Sequence, residues 1–224
     1  MEKRGVFVLK EIRIRFSKTG RAKFISHLDL MRTMTRAVRR ASIPVWYTEG
    51  FNRHPYLKFA APLSLGFEGK DESMDIRLIN DMPAEDIEDR LNQVLPDGLI
   101  VHHVGEPVMK LRDIAFARYL MRFKDNNNHL SEFIKEQNII AKKRTKKGLV
   151  REIELSPFLN KAEIHDCNDN ELCLILPCGG ETINPALVVT AYEEYVEQCQ
   201  GEHIKVFCDI TRLALLNSDG NSFV

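Results

Sequence analysis

Strand and helix signals follow one another in an order that excludes most folds before composition is considered. Lys10, Ile12, Ile14 and Phe16 alternate with Glu11, Arg13 and Arg15, the period of a strand with one apolar face. A second extended piece, Ala22 to Ile25, follows the Lys18-Thr19-Gly20 turn. Ser26 is a good helix N-cap, Asp29 stands at capping-box spacing, and Leu28, Met31, Thr35, Val38 and Ser42 recur at helical spacing. This predicts a helix over about 28–41 with Leu28, Met31 and Val38 inward, ended by Pro44. Val45 to Thr48 has strand composition and is expected to pair with Leu57 to Ala60. Ser73 to Ile79 alternates again, Asp81 caps a helix carrying Ile87, Leu91 and Leu95, and Gly98 to Val104 returns as a strand. The order β-α-β-β-α-β is that of a ferredoxin-like domain, an antiparallel sheet with two helices on one face.

From about Ile114 the signals restart. A strand over Ala115 to Phe123 precedes a helix near Asn128 carrying Leu130, Phe133 and Ile134. Strands over Ile139 to Ala141, Leu149 to Leu155 and Glu171 to Leu176 follow, then a helix capped at Asn184-Pro185 and a last strand, Ile204 to Leu216. Read as a second pass of the same topology, this gives an α+β protein of two ferredoxin-like halves, residues 1–112 and 113–224. At 224 residues the chain is long enough for two such domains.

Charge is uneven along it. Residues 1–60 hold 14 Lys/Arg against 4 Asp/Glu, while 61–224 hold 18 against 28, so the two parts are +10 and −10. Such polarity favours an anionic partner for the first part, RNA or an acidic protein surface, or else attraction between the two ends of the chain. Five cysteines show no C-x-x-C pair and no zinc spacing, which predicts free thiols. The chain opens without an apolar leader core and has no run of about 18 apolar residues to cross a bilayer, so no membrane association and a cytoplasmic location are expected.

The basic candidates fall into three groups. Arg32, Arg36, Arg39 and Arg40 share one flank of the first helix with no acid after Asp29. The loop Glu49 to Tyr56 adds Phe51, Asn52, Arg53 and His54, with Lys58 just beyond; aromatic faces beside guanidinium groups suit bases and phosphates, although Phe51 and Tyr56 could equally plug the core. A second basic hairpin holds Lys142, Lys143, Arg144, Lys146 and Lys147, with Arg151 nearby. Glu68, Asp71, Glu72 and Asp75 cluster, but around a turn and a strand end where solvated acids are the norm, so no metal site is assigned. Catalytic residues are not assigned either; His27 and His54 are the only imidazoles near the basic face that could serve as general acid and base.

The runs SHLDLMR (Ser26 to Arg32), EGFNRHPYLKFAAPLSLG (Glu49 to Gly66) and MDIRL (Met74 to Leu78), together with REIELSPFL (Arg151 to Leu159), resemble the radical-SAM-linked protein family over roughly residues 10 to 216. Members of that family are found beside, or fused behind, a radical SAM enzyme that also looks cobalamin-binding, and near ribosomal-protein and ribonuclease genes. The resemblance implies RNA maturation or modification as the setting. Arg53 stands where the family has the first proline of Asn-Pro-His-Pro, and Glu68-Gly69 where Glu-Ser is usual. The chain has no Cys-x-x-x-Cys-x-x-Cys to hold a radical SAM cluster. S-adenosylmethionine, the iron–sulfur cluster and cobalamin would therefore belong to the partner, and no cofactor is expected in this chain.

Taken together these readings predict a non-catalytic RNA-binding accessory of a separately encoded radical SAM protein, without DNA specificity. The alternatives are a metal-independent ribonuclease built from paired ferredoxin-like folds, and a protein-only adaptor that grips an acidic surface of the enzyme.

Overall fold

The computed structural model describes residues 9–124, 129–144, 148, 150–164, 170–201 and 205–224, with Arg144 as backbone only. Two compact units divide the chain, one running to Leu111 and including Phe223 and Val224, the other from Arg112 to Ser222.

Unit one contains β1 (Lys10–Lys18), α1 (His27–Arg40), β2 (Leu57–Phe59), β3 (Glu68–Leu78), α2 (Ala84–Asn92) and β4 (Leu99–Gly105). Its strands lie in the order β4-β1-β3-β2 with every pairing antiparallel, the order of a ferredoxin-like sheet. Ser26 caps α1 as its spacing predicts, its hydroxyl accepting from the Asp29 amide at 3.1 Å. The buried stripe of α1, however, is Leu30, Met34, Ala37 and Val38. Of the three residues expected inward only Val38 is; Leu28 is 55% exposed and Met31 lies at the surface. Both stripes have helical periodicity, and the sheet selects the one that meets Ile12, Ile14, Phe16, Met74 and Ile76. Each large apolar side chain buried there stabilises by about 1.5–3 kcal/mol.

Further expectations change. Ala22 to Ile25 is not an extended piece, since Gly20–Phe24 forms a 3-10 helix, and Pro83 rather than Asp81 stands at the N-cap of α2. Val45 to Thr48 does not pair with Leu57 to Ala60: β2 pairs with β3 (Leu57↔Ile76), Val45 bridges Leu78, and the Trp46 amide donates to the Arg77 carbonyl at 2.6 Å. β3 also begins five residues before the expected Ser73, at Glu68. The acids that read as a solvated turn are strand residues, and β1 supplies partners for Asp71 and Asp75. Arg13 stands opposite Asp75 and binds it through two hydrogen bonds of 2.8 and 2.9 Å, both side chains buried. Arg15 binds Asp71 in the same bidentate manner. Glu72 and Lys18 are buried as well. The second face of β1 is therefore covered, and its charges remain inside only because each meets an opposite charge or a polar atom.

Unit two contains β5 (Phe116–Phe123), α3 (Leu130–Phe133), β6 (Ile140–Arg144), β7 (Val150–Glu154), α4 (Ser156–Leu159), β8 (Glu163–Ile164), β9 (Glu171–Pro177), α5 (Ala186–Gln200) and β10 (Cys208–Leu216). Its main sheet has the order β10-β5-β9-β8, again antiparallel. Of the three strands expected between its helices, β6 and β7 form a separate hairpin and β9 joins the main sheet, with the two-residue β8 at its edge. β8 is too short to leave a periodic signal. Tyr192 of α5 packs edge-on against Phe123 and Phe133 at 5.0 and 5.2 Å, joining that helix to β5 and α3.

Candidate nucleic-acid interface

The arginines of α1 follow from the position of its buried stripe. With Met34, Ala37 and Val38 against the sheet, Arg32, Arg36, Arg39 and Arg40 all project to the surface. They are not equivalent. Arg32 binds Asp29 at 3.0 Å, an exposed pair one helical turn apart. Arg39 donates to the Tyr47 hydroxyl at 3.2 Å with its guanidinium 5.6 Å from that ring's centre. Arg40 donates to the Val94 carbonyl at 2.7 Å. Arg36 has no hydrogen-bond or ionic partner among the described residues.

Three of these arginines face one groove. Thr33, Arg36, Arg39 and Arg40 form its helical side and Val94 and Pro96, after α2, its other side, around a volume of about 540 Å³. Among the described residues no carboxylate lines it. Two of its guanidinium groups are held by neutral partners, which restrict them without neutralising them. Each group still has donors to spare, and a fork of fixed N–H groups matches the oxygens of a phosphate.

The loop between Val45 and Leu57 is a narrow hairpin. Tyr47 bridges Pro55, the Thr48 amide donates to the His54 carbonyl at 2.9 Å, and the Tyr56 amide donates to the Trp46 carbonyl at 2.9 Å. At its base the Arg77 guanidinium lies 4.3 Å from the Tyr56 ring and 5.9 Å from Trp46, while the two rings stand 5.9 Å apart. Tyr56 therefore serves as packing. Phe51 does not: it is fully exposed at the tip, beside exposed Asn52 and Arg53. Lys58 on β2 is exposed too.

The two histidines have separate surroundings. His27 sits edge-on to Phe59 with ring centres 5.4 Å apart, and burial, aided by the nearby Lys18 cation and opposed by Glu72, holds its pKa below the ordinary value. Nδ1 of His54 lies 3.1 Å from the Asn52 carbonyl and 3.2 Å from the Thr48 hydroxyl, so this ring braces its own hairpin. No hydrogen bond or ring contact joins His27 to His54 among the described residues.

With this geometry in view, comparison with known proteins gives a family and little more. A model of a family described as an uncharacterized protein conserved in bacteria, DUF2344, matches residues 11–197. The chain belongs to that family. No curated protein matches it. Among solved structures, the crystal structure of an unknown protein from Galdieria sulphuraria covers 91% of this chain and 98% of its own at 12% identity, with a TM-score of 0.29.

The second basic hairpin falls within the span that the family model matches, and its described part is more mixed in charge than its sequence suggests. Lys142 stands opposite Glu152 across β6 and β7, Lys143 donates to the Thr182 carbonyl at 3.4 Å, and Arg151 pairs with Glu181 at 3.0 Å. Lys146, Lys147 and the Arg144 side chain lie outside the described residues. The cluster Glu68, Asp71, Glu72 and Asp75 disperses: Glu68 accepts from the Gly20 amide at 2.9 Å, Asp71 and Asp75 hold arginines, and no group of three or more His, Cys, Asp or Glu suited to a metal forms among the described residues. Sequence reasoning missed the residues that complete the arginine groove, Thr33, Val94 and Pro96. Neutral residues carry no charge signal, and two of these lie more than fifty positions from α1.

Among the described residues no helix is long and apolar enough to cross a membrane.

Proposed function

We propose that the chain is a non-catalytic RNA-binding accessory that presents RNA to a separately encoded radical SAM enzyme in RNA maturation or modification. The observation that carries this reading is the groove of Arg36, Arg39 and Arg40, three guanidinium groups around one volume with no carboxylate in its lining. Phosphate neutralisation dominates nucleic-acid affinity, and arginines already restrained lose less freedom on binding. Phe51 adds a bare aromatic face of the kind that stacks an unpaired base, which favours single-stranded RNA over a duplex. The partner rests on the sequence resemblance alone; the S-adenosylmethionine, iron–sulfur cluster and cobalamin would be held by that enzyme. The ribonuclease alternative needs His27 and His54 to act on one phosphate, and their separate partners give it no support.

The test is copurification from cells with tagged wild-type chain and with an Arg36→Gln/Arg40→Gln variant, followed by RNA sequencing and protein mass spectrometry. The variant should lose RNA and retain the radical SAM protein. Retained RNA with loss of the protein partner would make α1 a docking face for protein and overturn the reading. Site-specific cleavage of RNA by the pure wild-type chain, abolished by His54→Ala, would install the ribonuclease in its place.

A further inference from the structure

Unit two contains a groove of a different character, independent of the RNA reading. Its volume is about 750 Å³, within the roughly 300–1,000 Å³ of small-molecule sites. Phe116 of β5 and Ile175 of β9 form part of its floor, Phe158 of α4 a wall, and all three remain partly or fully open to solvent. Arg118 of β5 and Lys161, in the turn after α4, reach the same volume. Neither cation has a carboxylate or hydrogen-bond partner among the described residues. Arg118 sits directly across from Ile175 in the β5–β9 register, so its charge lies over the apolar floor. Two acids, Glu163 and Asp219, also line the groove.

We infer that this groove binds a small organic anion with a flat apolar body and a single acid group, the body on Phe116, Phe158 and Ile175 and the acid on Arg118 and Lys161. Charge decides the class. Two unpaired cations attract one acid group, while Glu163 and Asp219 repel a chain of phosphates, so the site differs from the acid-free arginine groove of unit one. Aromatic and aliphatic surface that is already exposed loses contact with water when such a body settles on it.

The test uses the full chain and the dye 1-anilinonaphthalene-8-sulfonate, which has a flat apolar body and one sulfonate, beside its neutral relative N-phenyl-1-naphthylamine. Wild type should bind the dye saturably at one site, and the neutral compound about tenfold or more weakly. Arg118→Gln/Lys161→Gln, at two exposed positions that leave folding unchanged, should weaken the dye by about tenfold and leave the neutral compound unaffected. The Arg36→Gln/Arg40→Gln chain should bind the dye as wild type does, which separates this result from the fate of the RNA reading. Equal affinity for dye and neutral compound, or an Arg118/Lys161 variant that binds the dye normally, overturns the inference. So does displacement of the dye by an RNA oligonucleotide, which would assign the face to RNA.

Discussion

Unit one has two sets of arginines, and they are used in opposite ways. Arg13 and Arg15 on β1 stand across from β3 and are neutralised by Asp75 and Asp71; Arg13 is only 2% exposed and also donates to the Val224 carbonyl at 2.9 Å. Arg36, Arg39 and Arg40 on α1 are exposed around a groove that no acid lines. Residue type and chain segment do not separate the two sets; the element beside each does. β3 brings Asp71 and Asp75 to β1, whereas the turn after α2 brings α1 a backbone carbonyl and a proline. The positive charge of residues 1–60 is thus partly cancelled inside the same unit by acids that follow residue 60, while Arg36, Arg39 and Arg40 on α1 meet none of those acids.

Asp75 carries the largest expected effect. Replacing it with Ala leaves Arg13 charged and buried without its partner, and urea unfolding should show a loss of about 3–5 kcal/mol. Arg13→Met/Asp75→Leu should recover most of it, because a well-packed apolar pair can match a buried ion pair. A loss below about 1 kcal/mol in Asp75→Ala would mean that the pair is solvated and the contrast with α1 is false. Arg36→Gln/Arg40→Gln should do the reverse. Stability should stay within about 0.5 kcal/mol of wild type, as for other exposed positions. RNA affinity should fall about tenfold, and the slope of log affinity against log salt should flatten by about 1 to 1.5 from a wild-type value near −3 to −4, at about 0.7 per phosphate contact. Phe51→Ala should weaken binding without changing that slope, since stacking releases no counterions.

A smaller effect tests the helix that carries the exposed set. Ser26→Ala removes the acceptor for the Asp29 amide and should lower stability by about 1 kcal/mol in thermal or urea unfolding. RNA affinity at saturating fold should be unchanged, because the arginines lie two turns or more beyond the cap. If affinity fell with stability intact, the first turn itself would be part of the interface.

Legibility followed the same division. The cap at Ser26, the ferredoxin-like order of unit one and the exposure of the four α1 arginines were all readable, because capping and periodicity are local. The register that places Arg13 against Asp75 is not local, and a charged residue in an alternating strand reads as solvent-facing until its partner strand is known. The arginine groove was half readable for the same reason, its charged side from α1 and its neutral side only from the fold. In unit two the strands of the β6–β7 hairpin were readable and β8 was not, because two residues are too few to show a period.

The finest probe of the comparison is His27, the first residue of α1, which stands where the exposed helix meets the neutralised interior. Its ring packs on Phe59 and its pKa is held down by burial, then by Lys18, against the opposing pull of Glu72. A histidine with a lowered folded pKa takes up its proton more readily when unfolded. Stability from this group is therefore fully present above the unfolded value near 6.5 and is lost as pH falls through that value toward the folded one. Two other histidines lie beside carboxylates, His102 by Asp71 and His129 by Glu132, so the informative quantity is a difference. Unfolding free energies of wild type and His27→Gln, measured from about pH 7.5 down to about 5.5, should converge or cross as acid is added, because only wild type carries the penalty. The difference should be the smallest of the set, since the ring is only partly buried. A difference that stays constant with pH would show that His27 is protonated as easily in the fold as outside it. In that case the interior charges do not reach the first turn of α1, and His27 would be available to join the arginines in the proposed RNA contact below neutral pH.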